Sequence, residues 1–250
     1  MKTICDTNIW RGLMEKEIEE TELSSLNSPL TLSFINIDEI AKSNLILSHI
    51  GKSRIVIQRM MQMSAMKIYD PPIIYLKKMD IDGFEYNFLE KHIDILHLTK
   101  AIANGLEINE TNFKFYKNSR EKVFIDLCNL INEESEKIRK NTNKSSDKLD
   151  TKTINRDFIS FLVKSQTGMY LSDNFDWSQI ELFEGVLNLF FKELEITKTK
   201  IKPNDIYDLF ILIYVQPNDK FWSVDIKKGP LKHVEKIANG KYLYKNTFPI

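Results

Sequence analysis

The predicted fold rests first on the stretch Ile4-Cys5-Asp6-Thr7-Asn8, near the start of the 250-residue chain. A short apolar run ends here at an acid, and the next two residues favour turns and helix starts, which is typical of a strand leading into a loop or helix. In an open parallel sheet, ligands bind at the edge formed by the carboxyl ends of the strands. Asp6 is therefore the first candidate site residue, with helix capping as its simpler alternative role.

A second strand is predicted over residues 30–35, because this run is apolar and continuous. Asn36 or Asp38 would then cap a helix, and Glu39 would fall in its first turn, close to the carboxyl end of the strand. Glu39 is either a site residue or a solvated acid favoured by the helix dipole. This stretch alone leaves both interpretations open.

Two further acids, Asp205 and Asp208, stand three residues apart before the apolar run 209–215. A helix starting here would place both carboxylates on one face of its first turn. Two acids beside an apolar wall favour a cation site, whereas capping of the helix is the alternative. A late strand is predicted over residues 221–225, and it ends at Asp225.

Five acids thus share a place at the ends of predicted strands or the starts of predicted helices. They are Asp6, Glu39, Asp205, Asp208 and Asp225. Carboxylates that converge cannot all stay ionised without a cation, because like charges and burial both raise their pKa values. Oxygen ligands without an accompanying Cys or His set favour Mg²⁺ or Mn²⁺, and such an ion can activate water for attack on a phosphodiester. The sequence therefore predicts a divalent-metal site.

This set of residues resembles the PIN-domain family of metal-dependent ribonucleases. The stretch around Asp6 is similar to the family's opening pattern of apolar residues followed by Asp-Thr-Asn. The family's second acid maps onto Glu39 rather than Asp38. Asp208, before its apolar run, resembles the third acid, and Asp205 resembles the additional acid that some members carry.

The family's late Thr-x-Asp is matched by Ser223-Val224-Asp225, in which serine replaces threonine. Serine keeps a hydroxyl group that can orient a carboxylate or a water molecule, so the replacement is compatible with the pattern. Asn8 and Ser223 are predicted supporting residues, and Asn8 either binds the carboxylates or stabilises the turn. The resemblance implies catalytic roles for Asp6, Glu39, Asp208 and Asp225, and metal ligation by Asp6, Asp205, Asp208 and Asp225.

The resemblance covers about the first 50 residues and the stretch from about residue 200 onward. It implies a single α/β domain over residues 1–250, a three-layer PIN-like fold with a central, mostly parallel sheet flanked by helices. The middle of the chain has no counterpart in the family. There we predict a large helical insertion over residues 53–138, with a third strand at 73–76, and a mobile loop over the polar stretch 139–155. A last strand is predicted at 242–244.

The function that the resemblance implies is a Mg²⁺- or Mn²⁺-dependent endoribonuclease. Such an enzyme cleaves single-stranded RNA by attack of a metal-activated water on a phosphodiester, and family members often act as toxins with a cognate antitoxin protein. Lys227 and Lys228, close behind Asp225, either bind RNA phosphates or form a solvated basic loop. Trp10 and Trp222 are predicted to be packing residues rather than base-stacking platforms.

The composition sets limits on these expectations. Lys plus Arg and Asp plus Glu both total 35, so no overall positive field indicates nucleic-acid binding, and an RNA-binding face would have to be local. The two cysteines, Cys5 and Cys128, lie in apolar or helical runs and are typical of buried thiols in a reducing compartment. No stretch is long and apolar enough for a membrane span, so we expect a cytoplasmic protein without a membrane partner. A homo-oligomer is compatible with the sequence.

Two other functional classes are alternatives. The first is a catalytically inactive PIN-like scaffold, in which the segment 53–138 binds a protein or RNA partner and the acids only cap helices. The second is a phosphohydrolase or phosphoacceptor with Asp6 as nucleophile, assisted by Ser223 and Lys227. The Asp-x-Asp motif of one such group is absent, because position 8 is Asn8.

Overall fold

A computed structural model of the chain describes residues 1–15, 28–41, 43, 49–86, 99, 101–105, 109–142 and 151–244. In chain order the elements are β1 (Thr3–Cys5), α1 (Thr7–Glu15), β2 (Leu30–Ser33), α2 (Phe34–Ala41), α3 (Ile50–Met63), β3 (Met66–Ile68), α4 (Pro72–Asp80), α5 (Glu110–Thr142), α6 (Thr151–Thr167), α7 (Glu181–Ile196), α8 (Pro203–Ile211) and β4 (Lys220–Trp222). Short 3-10 helices cover Trp177–Ile180, Leu212–Tyr214 and Gly229–Gly240.

The four described strands form one parallel sheet in the order β3-β2-β1-β4. Thr3 pairs with Leu30 of β2, and Cys5 pairs with Trp222 of β4. Every residue of β1 and β2 is buried, as expected for inner strands of a parallel sheet with both faces covered by helices. The predicted α/β class with a central parallel sheet is confirmed, and the arrangement is compatible with three layers.

The carboxyl ends of β1, β2 and β4 meet at the same edge of this sheet, since the strands are parallel and neighbouring. Asp6 directly follows β1, Ser223 directly follows β4, and α2 begins directly after β2. A connected apolar core below this edge includes the fully buried Ile4 and Trp10. The sheet therefore brings segments distant in sequence to one place.

The third strand lies elsewhere than predicted. Residues 73–76 belong to α4, and Pro72 suits the first turn of that helix because proline lacks the N–H that a helix start leaves unbonded. The third strand is instead β3, which pairs with β2 at the sheet edge. The segment 53–138, predicted to be a helical insertion with a strand at 73–76, thus does contribute a strand to the central sheet, but at residues 66–68.

The predicted loop at 139–155 and the predicted last strand at 242–244 also differ from the structure. α5 extends to Thr142 and α6 begins at Thr151, so both ends of the predicted loop 139–155 are helical, while residues 143–150 lie outside the described residues. At 242–244 the predicted strand is reduced to one bridge, in which Leu243 pairs in parallel with Phe221 of β4. In the described part of the chain no helix is both long enough and apolar enough to cross a membrane.

Candidate active site

Asp6 is held at the sheet edge by contacts with the end of β4. Its N–H donates to the carbonyl oxygen of Trp222 at 2.8 Å, which continues the β1–β4 ladder by one residue. The Ser223 hydroxyl donates to Asp6 Oδ2 at 2.8 Å. Asp6 is only 6% exposed, so this hydrogen bond orients a carboxylate that water barely reaches.

Asp225 belongs to the same hydrogen-bond network. Its N–H donates to Ser223 Oγ at 3.0 Å, and its Oδ2 accepts from Asn8 Nδ2 at 2.6 Å. The second oxygen, Oδ1, accepts from Lys228 Nζ at 3.0 Å. Of the two roles considered for Asn8, the contact with a site carboxylate is therefore the one found. Ser223 bridges Asp6 and Asp225, because its hydroxyl donates to one and accepts from the backbone of the other.

The start of α2 differs from the expectation that Asn36 or Asp38 caps this helix. Ser33 immediately precedes the helix, and Asn36 Oδ1 accepts from both the N–H and the hydroxyl of Ser33, at 3.0 and 2.8 Å. Asn36 Nδ2 donates to the Cys5 carbonyl oxygen at 3.0 Å and to Thr7 Oγ1 at 3.1 Å. Asn36 thus ties the ends of β1 and β2 to the start of α1, next to Asp6.

Glu39 and its neighbour Asp38 have different environments. Because α2 begins at Phe34, Glu39 lies in the second turn rather than the first. Asp38 is fully buried, and its Oδ2 accepts from the Tyr207 hydroxyl at 2.9 Å. Glu39 is partly exposed, and its charge raises the pKa values of Asp6 and Asp208. Glu39 is therefore the acid of this pair that acts on the other site carboxylates.

Asp205 lies in the first turn of α8, as predicted, whereas Asp208 lies in the second turn because the helix begins at Pro203. Asp205 Oδ2 accepts from the Lys202 N–H at 2.7 Å, so the capping contact considered for this acid is present. Gly229 packs against both acids: a Cβ there would lie 2.8 Å from Asp205 Oδ1 and 3.5 Å from Asp208 Oδ2. The loop after β4 therefore reaches the first turn of α8.

The carboxylates influence one another electrostatically. Burial raises the pKa of Asp6 to about 6, with smaller contributions of the same sign from Glu39 and Asp225, while the Ser223 hydrogen bond opposes the shift. Burial also raises the pKa of Asp208 to about 8, and the charges of Asp6, Glu39, Asp205 and Asp225 add to this effect. Asp208 is thus the acid on which all four other site carboxylates act.

The arrangement of the acid side chains is less favourable to a metal ion than their electrostatic interactions are. Among the residues that the structure describes, no group of three or more Asp, Glu, His or Cys side chains is already arranged to hold an ion. Like charges separate in the absence of a cation, and Asp225 and Asp205 are engaged by Lys228 and by the Lys202 N–H. Among the described residues the site acids therefore act on Asp6 and Asp208 electrostatically without forming a set of metal ligands.

The two tryptophans and two lysines considered from the sequence have different surroundings in the structure. Trp10 is fully buried, and Trp222 is 3% exposed with its ring centroid 5.1 Å from that of Tyr244, so both pack as predicted. Lys227 and Lys228 are exposed, and the ammonium group of Lys228 pairs with Asp225. Lys228 therefore contacts a site acid directly, whereas Lys227 is its exposed neighbour in the chain.

Three residues of this region are not predicted as site residues from the sequence. They are Asn36, which is considered only as a helix cap, Tyr207 and Gly229. The spacing Ser33-x-x-Asn36 was the available signal for the first, since a polar side chain three residues after a serine is typical of a helix start. Tyr207 and Gly229 act through contacts with residues far away in sequence, which no local pattern indicates.

Comparisons with protein-family models, with curated proteins and with solved structures found no match to this chain.

Proposed function

We propose that the protein is a Mg²⁺- or Mn²⁺-dependent endoribonuclease of the PIN type that cleaves single-stranded RNA. One observation carries the proposal: acids from four separate segments gather at the carboxyl edge of a parallel sheet, where their charges add to burial in raising the pKa values of Asp6 and Asp208. A partly buried cluster of like charges costs free energy in the absence of a cation, and perturbed carboxylates at such an edge favour a catalytic or binding site.

The donor set fits a hard divalent cation, because it consists of carboxylate oxygens without cysteine or histidine. Asp6, Asp208 and Asp225 would hold the ion, with Asp205 and Glu39 completing or tuning the site. When bound, the ion supplies Lewis-acid activation of water and neutralises charge on the phosphodiester.

The chain's own residues orient the acids. Ser223 fixes the direction of the Asp6 carboxylate by donating to Oδ2, and Asn8 does the same for Asp225. Asp208, with a pKa of about 8, holds a proton at neutral pH while no cation is bound. Lys227 and Lys228 are exposed cations near Asp225 and attract the RNA phosphates.

The family resemblance extends the proposal to a partner protein and a cellular location. PIN proteins often act as toxins, so we further propose a cognate antitoxin protein as partner and action in the cytoplasm. Toxin action depends on the nuclease activity, so the activity is the first property to test.

The test measures cleavage of a fluorescent single-stranded RNA by the full chain with Mn²⁺ present. Asp6→Asn, Asp208→Asn and Asp225→Asn should each lower the rate by about 100-fold or more, which corresponds to about 2.7 kcal/mol of transition-state stabilisation. Asp173→Asn, at an exposed acid in the connection between α6 and α7, is the matched control and should retain the wild-type rate.

Calorimetric titration with Mn²⁺ separates the enzyme from the inactive scaffold. The enzyme should release or absorb heat on Mn²⁺ binding, and Asp6→Asn should abolish that heat. A folded Asp6→Asn protein that still cleaves RNA at the wild-type rate would overturn the proposal, as would a wild-type protein that neither binds Mn²⁺ nor cleaves.

A further inference from the structure

The connection between α7 and α8 carries a row of exposed lysines. Lys198, Lys200 and Lys202 are exposed, whereas Ile201 between the last two is 3% exposed. Thr199 is also exposed, and Lys202 has extended backbone angles, φ −119° and ψ 161°. Thr197, at the other end of the connection, also has extended backbone angles, and residues 197–198 form a bend. Residues two apart in a chain lie at most roughly 7 Å from each other. The three lysines are therefore spaced along the connection at every second residue.

Two side chains of α5 fix the course of this connection. Asn132 binds the backbone of Ile201 on both sides: its Oδ1 accepts from the Ile201 N–H at 2.9 Å, and its Nδ2 donates to the Ile201 carbonyl oxygen at 3.1 Å. Arg139 donates to the carbonyl oxygens of Leu194 and Thr197. The lysines are thus carried by a backbone that is anchored at several points, so ordering it on binding costs little further entropy.

The lysine row leads directly to the carboxylates. The N–H of Lys202 donates to Asp205 Oδ2 at 2.7 Å. Burial raises the pKa of Asp205, and the charge of Lys202 opposes part of that shift, so the Lys202 ammonium group acts on the acid as well. Gly229, which follows the basic pair Lys227 and Lys228, contacts the same acid.

The charges of the row are largely available to a ligand. Within the described part of the chain, none of these three ammonium groups is taken up by an ion pair. Glu136 on α5 interacts with Lys200 at longer range, but its carboxylate is already paired with Lys140 at 2.8 Å. The row can therefore bind an anion without first breaking an internal salt bridge.

We propose that Lys198, Lys200 and Lys202 form a track that binds the backbone of single-stranded RNA and leads it to the carboxylates at the start of α8. This inference rests on the proposed function, because it names a path for the substrate of that site. A series of cations spaced along a chain suits a linear polyanion. A protein partner would need an apolar interface centre, whereas the connection itself exposes no large apolar side chain among its described residues, and only Ile196 at the end of α7 is exposed beside it.

The test measures binding apart from cleavage. A fluorescent single-stranded RNA of about 12 nucleotides is titrated with the full chain in EDTA, and the dissociation constant is followed by anisotropy over a range of salt concentrations. The triple variant Lys198→Gln, Lys200→Gln and Lys202→Gln should bind at least about tenfold more weakly. The slope of log K against log salt should become shallower by about 2, since each single-strand phosphate contact contributes about 0.7.

The matched control is Lys52→Gln, Lys114→Gln and Lys122→Gln, which removes the same charge at exposed lysines of α3 and α5. This control should keep the wild-type affinity and slope. Equal affinity for RNA in the track variant and the wild type would overturn the track, as would an equal loss in the control. Polyglutamate that displaces RNA from the wild type, and binds it more tightly than RNA, would assign the row to an acidic protein instead and overturn the proposal.

Binding and cleavage fail separately in this design. If the wild type binds RNA through the track but does not cleave it with Mn²⁺, the proposed nuclease function is wrong and the track stands as an RNA-binding surface. If the wild type cleaves RNA and the track variant cleaves at the same rate under subsaturating RNA, the nuclease stands and the track is wrong.

Discussion

At the scale of single residues, Gly229 determines how closely the loop after β4 approaches the acids of α8. Its φ of +49° lies in the left-handed region, which costs a residue with a side chain about 1–2 kcal/mol. A Cβ would also lie 2.8 Å from Asp205 Oδ1, too close for the carboxylate to stay in place. The sequence alone indicates neither the positive φ nor the close contact, because it shows at this position only a glycine followed by Pro230.

Gly229→Ala should therefore lower both thermal stability and Mn²⁺ affinity. The matched control is Gly83→Ala, because Gly83 has a φ of +71° but nothing within 4 Å of its Cβ position. Both variants should lose about 1–2 kcal/mol of unfolding free energy in urea denaturation. Only Gly229→Ala should weaken Mn²⁺ binding in calorimetry. Equal Mn²⁺ affinity in the two variants would show that Asp205 and Asp208 are not constrained by this glycine.

The site acids illustrate what can be inferred from single residues. Asp6, Asp208 and Asp225 were candidates because each follows a predicted strand or opens a predicted helix, and the sheet places these segments at one edge. Their hydrogen-bond partners were harder to infer. The contact between Asn8 and Asp225 spans 217 positions in the chain, and the sequence left it as one of two alternatives. Local patterns indicate which residues lie at an edge, but not which of them touch.

At the scale of elements, α2 and α8 are joined by the hydrogen bond from Tyr207 to Asp38. Each partner is adjacent in sequence to a site acid, since Asp208 follows Tyr207 and Glu39 follows Asp38. The Tyr207 ring also packs against Phe124 of α5, with ring centroids 4.6 Å apart. This contact therefore sets the relative position of two helices that both carry site carboxylates.

Tyr207→Phe removes the hydroxyl and leaves the fully buried Asp38 with one donor fewer. We expect a loss of about 1–3 kcal/mol of unfolding free energy, because a buried polar group loses a partner. RNA cleavage should also slow, since Glu39 and Asp208 are no longer held in register. Tyr86→Phe is the control, because the Tyr86 hydroxyl makes an exposed hydrogen bond to Gln166. If both variants unfold at the same urea concentration and cleave alike, the Tyr207 contact does not position the helices.

The elements also show where prediction from sequence fails. β1, β2 and the start of α8 were predicted because apolar runs there end at clear polar boundaries. The sequence predicts a strand at 73–76 where the structure has a helix, since periodicity alone cannot distinguish a short buried strand from part of a buried helix. β3 was missed because Met66 and Lys67 are exposed or polar, and their strand conformation depends on pairing with β2. An edge strand of this kind is determined by its neighbour more than by its own residues.

At the scale of the whole molecule, the site acids connect stability to pH. The folded-state pKa values of Asp6 and Asp208 are raised to about 6 and about 8, above the unfolded value of 3.8, so the folded chain binds more protons in this window. The contribution of these two acids to stability without a metal ion should therefore be greatest below about pH 4 and be lost as the pH rises through 6 and 8. Carboxyls whose pKa values are lowered, such as Asp80, Glu181 and Glu193, act in the opposite direction at low pH. His233, whose pKa burial lowers, acts in the opposite direction below neutral pH, so a variant is needed to isolate the acids.

Asp208→Asn supplies that variant, because the amide stays neutral at every pH. Without metal, its melting temperature should exceed that of the wild type by several degrees at pH 9, and the two should converge at pH 4, since about 1 kcal/mol shifts a chain of this size by about 2–4 °C. Under the proposed function Mn²⁺ binds the ionised acids, so at pH 8 and about 100 times its dissociation constant it should raise the wild-type melting temperature by about 5–10 °C. Asp173→Asn should follow the wild type in both experiments, while Asp208→Asn should lose most of the Mn²⁺ effect.

The proposed Mn²⁺ ligands come from segments as distant in the chain as Asp6 and Asp225. The stabilisation by Mn²⁺ should therefore apply to the whole sheet in a single cooperative unfolding transition. A separate early transition that Mn²⁺ leaves unmoved would show that the acids are not joined by one ion.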